Sequence, residues 1–331
     1  MISFLIRRLL WLIPVLFIIT LVTFLLMRAA PGGPWDRDPG RRQLDVATQE
    51  KLNEQFGLDK PMWRQFIAYT FGDFDGENGE FACGAVCGNL GPSYRQRGRT
   101  VQDILFSVPE GKPFWNSRFG YSIRLGLLAL LFAIIVGIPA GILSALRQNT
   151  WIDYTSAVVA NIGVSVPNFV IGIYLIIIFA VTLKWVSVIP RSWADPRAWV
   201  IPALVLGFGT MAFTARLTRA AMVDVMRQDY VRTARAKGLR ENVVVGRHML
   251  KNALIPVVTV LGPALAALVT GSFIIETMFA FPGIGREYVQ AIGNRDYSMI
   301  LGTTLIYGVL IALANLSVDI IYSIIDPRIR L

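Results

Sequence analysis

Six stretches of 18 or more residues carry no charged side chain: Leu9–Met27, Leu125–Leu146, Tyr154–Leu183, Ala198–Ala215, Asn252–Ile275 and Tyr297–Val318. A bilayer core about 30 Å thick needs about 20 apolar helical residues, so each stretch is long enough to span it. The pattern predicts an all-α integral membrane protein with six transmembrane helices. Pro167 lies inside the third stretch, Pro202 inside the fourth, and Pro256 and Pro263 inside the fifth. A proline in a membrane helix frees a carbonyl and bends the rod. These prolines read either as local distortion or as hinges and cavity walls in a protein that changes shape. A long polar segment, 28–124, separates the first two stretches. Within it Leu44, Val46, Leu52, Phe56, Leu58, Trp63, Phe66, Ile67 and Tyr69 recur at mostly helical spacing, and Pro61 is placed to open a second short helix. The Gly-rich run 72–98 reads as irregular, and Val101–Leu105 as one more helical turn.

Composition sharpens this. The chain is 54% hydrophobic and 16% charged, against about 25% charged in a soluble domain, which excludes soluble globular, fibrous and disordered readings. The net charge of +10 is unevenly placed. With the N-terminus inside and six alternating spans, the inner segments hold fourteen Lys/Arg and the two short outer loops five. That asymmetry puts both termini in the cytoplasm of a cell (inner) membrane protein and explains the basic excess as topology, with no nucleic acid partner. Arg7-Arg8, the apolar run and Arg28-Ala29-Ala30 resemble a secretory signal, but 19 residues exceed its usual core of about 7–15. A retained helix and signal anchor is expected. Cys83 and Cys87 fall in the outer segment beside Gly84 and Gly88. A small local disulfide is the expectation, with two thiols or half a metal site as alternatives.

The chemistry that is missing matters as much. The middles of the six stretches contain no acidic residue and no histidine; Arg216 and Arg219 sit at the inner end of the fourth, where they can snorkel, with Glu276 at the outer end of the fifth and Asp319 near the inner end of the sixth. An ion-coupled secondary transporter would need such groups, or internal repeats. The Gly111-Lys112 pair lacks the rest of a phosphate-binding loop, and Lys237-Gly238 has the reverse order. One histidine, His248, leaves little material for a membrane enzyme, and reads as a polar side chain at an interface. No cofactor and no metal are expected, and energy must come from other chains.

The most informative segment is Asp224–Pro256. Tyr230–Lys237 predicts a helix with Asp229 favouring its start, Gly238 a left-handed cap, and Glu241 the start of a second helix carrying Val244, Val245, His248 and Met249. Two readings stand: a basic amphipathic loop on anionic lipid, or a docking knob whose small residues Ala234, Ala236 and Gly238 admit close approach. The loop resembles the cytoplasmic coupling loop of binding-protein-dependent ABC importer permeases of the oligopeptide/dipeptide/nickel group. RRLLWLIPVLFIITLVTFLLMRAAPGGP resembles that group's first span, ETMFAFPGIGREYVQAIGNRDY (276–297) the loop before its last, and NLSVDIIYSIIDPRIR (315–330) its C-terminus. The general importer motif has Glu-Ala-Ala where this chain has Arg232, Thr233 and Ala234, and residues 72–120 match least.

The resemblance implies a type I ABC importer permease fold: an N-terminal helix (1–28), an extracytoplasmic region (29–120) and a permease core (121–331) with its coupling loop at 222–252. It implies that Tyr230, Thr233, Ala234, Ala236, Lys237, Gly238, Leu239 and Glu241 belong to a coupling helix and corner seated in an ATPase groove. The partners implied are a second homologous permease, two cytoplasmic ABC ATPases, an extracytoplasmic solute-binding protein and the lipid bilayer. The implied solute is a di- or oligopeptide, with nickel or another small solute as the alternative. Asn161, Ser165 and Asn168 are candidates for the translocation path, although small polar groups in spans serve more often in helix packing.

Overall fold

The computed structural model describes residues 2–35, 45–74, 81–187 and 189–325. Five of its helices are long and apolar enough to cross a membrane: Ile6–Ala29, Arg118–Leu146, Arg197–Met226, Glu241–Met278 and Tyr297–Ser317. The third expected span is not one rod. Trp151–Ser165 and Asn168–Thr182 pass the same test only together, and meet at an angle of 113°. The cause is local. Pro167 has no N–H to continue the helix, and its ring pushes Val166 into extended backbone (φ −89°, ψ 127°). Pro202, Pro256 and Pro263, by contrast, are carried inside continuous helices.

The helices are α1 (Ile2–Ala29), α2 (Val46–Gln55), α3 (Met62–Thr70), α4 (Val101–Phe106), α5 (Arg118–Leu146), α6 (Trp151–Ser165), α7 (Asn168–Leu175), α8 (Arg197–Met226), α9 (Asp229–Ala236), α10 (Glu241–Val243), α11 (Leu250–Val269), α12 (Phe273–Met278), α13 (Ile284–Asn294) and α14 (Tyr297–Ile325). Ile176–Thr182 extends α7 as π-helix, and Val244–Met249 joins α10 to α11 in the same form.

The chain divides into two compact units. One comprises Ser122–Phe281 and the chain from Leu310 onward. Here α8 is the central element, with Val205, Ala212 and Met222 among its fully buried residues. Neighbours approach it through small residues. A side chain at Gly207 would overlap the Ala129 carbonyl, and one at Gly163 would overlap Ala212. Without water to drive apolar association in lipid, such close backbone contact is what holds membrane helices together. At the α5 end, Asp153 is 3% exposed and accepts from Arg219 Nε at 2.5 Å and Nη2 at 2.7 Å, from Ser144 Oγ at 2.6 Å and from the Asn149 N–H at 3.0 Å. Arg219, expected to snorkel into the interface, is instead half of an ion pair joining α6 to α8.

The second unit comprises Ile2–Tyr121 and Pro282–Val309. Pro61 precedes α3 as its N-cap, and Thr100 opens α4 with a reciprocal capping box to Asp103. The run expected to be irregular contains a two-stranded antiparallel hairpin, β1 (Gly72–Phe74) with β2 (Phe81–Cys83), pairing Asp73 with Ala82. Cys83 and Cys87 form a disulfide with their Cα atoms 5.9 Å apart. The core of the unit combines Leu90, Val101, Ile104 and Leu105 with the rings of Trp35, Phe56, Tyr94 and Tyr297. Asp296 accepts from the Ser93 hydroxyl and, at 3.1 Å, from the Tyr94 N–H, while Arg95 donates to the Asn294 and Pro34 carbonyls at 2.6 and 2.7 Å. Burial pushes the Tyr94 phenol up to about 12, so it remains neutral in this core. The segment between α1 and α5 is therefore built into a packed unit by polar ties to α13 and the start of α14.

Candidate functional site

Two places bring the expected site residues together. The first is the loop from α8 to α11. In α9, Val231 and Ala234 are three residues apart and share one helix face. Both are buried, with Ala145, Met222, Val244, Met249 and Ala253, in a small core that draws on α5, α8 and α11. Ala234 thus faces inward and anchors the loop, whereas Ala236, Lys237 and Gly238 are exposed.

The corner is rigid for stated reasons. Gly238 has φ +74°, the left-handed conformation that glycine adopts without a Cβ penalty. Its N–H donates to the Arg235 carbonyl at 2.9 Å, and that of Leu239 to the Ala234 carbonyl at 3.4 Å, the paired bonds of a Schellman cap. Across the corner Arg235 grips Glu241 with two hydrogen bonds, 2.6 and 3.2 Å. The Glu241 carboxylate holds the Arg235 guanidinium above its ordinary pKa. Thr233 Oγ1 donates to the Asp229 carbonyl at 2.9 Å, and Asn252 Nδ2 donates to the Tyr230 hydroxyl at 2.8 Å. What remains facing outward is Tyr230, Leu239 and Val243, each 40–41% exposed, among Arg232, Lys237 and Arg240. Sequence reasoning missed the anchoring role of Val231, though its place three residues before Ala234 in a charged helix was the available signal.

The second place is the break in the third stretch. Gly163, Val164, Ser165, Val166, Pro167 and Asn168 line a cleft of about 460 Å³, closed on the far side by Gly209 and Phe213 of α8. Ser165 and Asn168 meet there. Asn161, one helical turn earlier, is exposed but outside the lining. No carboxylate, imidazole, thiol or cation is among the lining residues. Among the described residues no group of three or more His, Cys, Asp or Glu is placed to hold a metal ion.

A third buried acid, besides Asp153 and Asp296, lies elsewhere. Glu276 in α12 is fully buried and accepts from Ser122 Oγ at 2.8 Å. Gly271 (φ +78°) leaves room for it, since a Cβ there would overlap Glu276 Oε1.

Comparison with known proteins agrees with this architecture. Residues 137–331 match the family described as binding-protein-dependent transport system inner membrane component, and residues 1–112 its N-terminal companion. The chain is 38% identical over its whole length to the dipeptide transport system permease protein DppB of Bacillus subtilis (strain 168), covering 99% of that protein. It is 36% identical to the oligopeptide transport system permease protein OppB of Salmonella typhimurium (strain LT2), covering all of both chains. Identity to the glutathione transport system permease protein GsiC of Shigella flexneri serotype 5b is 37%, over 100% of this chain and 99% of that one. Among solved structures, an inward-facing MetNI methionine ABC transporter superposes with a TM-score of 0.51 at 21% identity, over 63% of this chain and 94% of the other. That likeness speaks to the fold, a type I ABC importer permease. With full-length relatives and a family match across most of its core, the chain belongs to the binding-protein-dependent transport system inner membrane components, the permease subunits of ABC importers.

Proposed function

We propose that this permease forms one half of the translocation path of a peptide importer and is driven through the α9 corner by ATPase subunits that are separate chains. A second homologous permease completes the path, two cytoplasmic ATPases sit beneath it, and an extracytoplasmic binding protein delivers the solute. Both termini lie in the cytoplasm, as the fourteen-to-five distribution of basic residues favours. Peptide as the solute is supported by the names of the dipeptide, oligopeptide and glutathione permeases that share 36–38% of its residues. The cleft lining offers no thiolate, imidazole or carboxylate, the donors most metal sites use.

The observation that carries the coupling role is the division of the loop into a sealed inner face and an apolar outer one. Val231 and Ala234 are spent on the internal core, yet Tyr230, Leu239 and Val243 stay about 40% exposed on a corner that is capped and cross-braced. A rigid protrusion with apolar residues at its tip suits a protein groove. Lipid binding fits it less well, because Asp229 is 97% exposed and Glu241 55% exposed on the same surface, where an anionic bilayer would repel them. Because the core joins α9 to α5, α8 and α11, a push on α9 moves three membrane helices together. The partner then shifts the cavity between states by binding one of them more tightly.

The test is reconstitution in liposomes. Uphill peptide uptake is expected from the full set of subunits with ATP, and from no smaller set. Leu239→Asp is expected to release the ATPase from the purified complex, with this chain still inserted. Uphill uptake by this chain alone, or retention of the ATPase by Leu239→Asp, overturns the proposal.

A further inference from the structure

The cleft at Val166–Pro167 presents main chain that the helices do not use. The last bond of α6 runs from the Val166 N–H to the Ile162 carbonyl (2.9 Å), and the first bonds of α7 run from Val170 and Ile171 to the Pro167 carbonyl (2.9 and 3.3 Å). Pro167 has no N–H to give to Gly163. Among the described residues, no main-chain bond reaches the carbonyls of Gly163, Val164 and Ser165, or leaves the N–H groups of Asn168 and Phe169. The Ser165 hydroxyl and the Asn168 amide are likewise engaged with no other group among the described residues. Backbone left unpaired in a membrane segment is tolerated only where it is buried in protein or lines a cavity that can satisfy it.

The cleft is open on one side and has room for an occupant. Its volume of about 460 Å³ falls within the range of small-molecule sites, about 300–1,000 Å³. Gly209 keeps its floor open: a Cβ there would sit 3.2 Å from Asn168 Oδ1 and 3.4 Å from the Gly163 carbonyl oxygen. The lining alternates acceptors, donors and apolar walls, namely Val164, Val166, Pro167 and Phe213, and carries no charge. It therefore suits neither the ammonium nor the carboxylate end of a peptide. It suits the neutral amides between them, whose N–H groups meet the free carbonyls and whose C=O groups meet the free N–H groups, Asn168 and Ser165. Recognition of this kind reads main chain and ignores side chains, as in strand addition.

We propose that this cleft is a subsite of the path that binds interior amide groups of a peptide in transit; the proposal rests on the peptide-import reading above. Weak binding is part of its function, since a path must release what it holds.

The test uses the complete transporter in liposomes with trialanine as the probe. Ser165→Cys gives this chain a single free thiol, its two native cysteines being joined to each other, and labelling is read on this chain alone. Trialanine with ATP is expected to slow its modification by a membrane-permeant maleimide about fivefold, and free alanine at the same concentration is not. Asn168→Ala, and Gly209→Val, which fills the floor, are expected to lower kcat/KM for trialanine uptake about fivefold, the effect of a hydrogen bond or two, with the complex still co-purifying. If the unmodified transporter imports no peptide, the peptide-import reading falls and the subsite with it. If it imports trialanine while Ser165→Cys modification ignores the peptide, the subsite alone is wrong, and the cleft is covered by lipid or by the second permease. Should either floor variant fail to assemble, the maleimide protection decides.

Discussion

Gly238 is the residue on which the corner between α9 and α10 turns. A Cβ there would meet nothing within 4 Å, so space places no limit on substitution. The limit is backbone: φ +74° disfavours an L side chain by about 1–2 kcal/mol, less for Asn, most for a β-branched residue. Substitution is therefore expected to loosen the corner without disturbing insertion, in the order Asn, Ala, Val. The measurement is ATP hydrolysed per peptide imported, which rises along that series; a flat series means the corner transmits nothing. Asp153 and Arg219 pose the opposite case, a buried acid held by a partly exposed base. Arg219→Met strands the carboxylate with Ser144 and one backbone N–H, at a destabilisation of about 2–3 kcal/mol, reduced from the fully buried case because Arg219 reaches solvent. Replacing both, Asp153→Asn with Arg219→Met, is expected to be milder than Arg219→Met alone in thermal unfolding of the solubilised chain. Additive losses would mean that the two residues act separately.

Among the elements, the β1–β2 hairpin depends on charge. Asp73 accepts from Lys60 Nζ at 2.9 Å, with Arg64 at 3.7 Å, and the Lys60 hydrogen bond holds its carboxyl below the ordinary 3.8. A depressed folded pKa means the contribution is whole above the ordinary carboxylate range and disappears as pH falls through the folded value. Amide exchange across the β1–β2 pair is expected to lose protection below pH 3.8, and Lys60→Met to remove that pH dependence; equal profiles in both proteins would refute the link. The hairpin itself was not legible in the sequence. Its strands are three residues each, within a Gly-rich acidic run that carries no alternation. The long helices were legible, because lipid length demands uninterrupted apolar runs. The 113° break was not: Pro167 reads like Pro202 or Pro256, which helices absorb. Its outcome differs through Gly209, which lets the turn lie close against α8. In the coupling loop the Lys237-Gly238 cap was visible, but Ala234 and Ala236 look alike until Ala145 and Met222 supply a core for one of them.

For the whole molecule, the question is where the driving force enters. The six apolar stretches hold no acidic, basic or histidine side chain, and the buried charges nearest to them lie at their ends. Asp153 is neutralised by Arg219, and Glu276 is fully buried with Ser122 donating to it. A proton-driven cycle needs groups that change charge along the path, and a voltage-driven one needs charges that cross the field. A cleft lined by main-chain amides, Ser165 and Asn168 offers neither, and its affinity for a neutral amide does not vary with pH or potential. On the coupling mechanism proposed above, work then arrives mechanically, through the braced and exposed corner between α9 and α10. Uptake by the reconstituted complex is accordingly expected to continue at an unchanged rate when a protonophore and an ionophore collapse the gradients, and to stop when ATP is replaced by a non-hydrolysable analogue. Collapse of uptake by the protonophore at constant ATP would place a titrating group in the path and overturn the mechanical account.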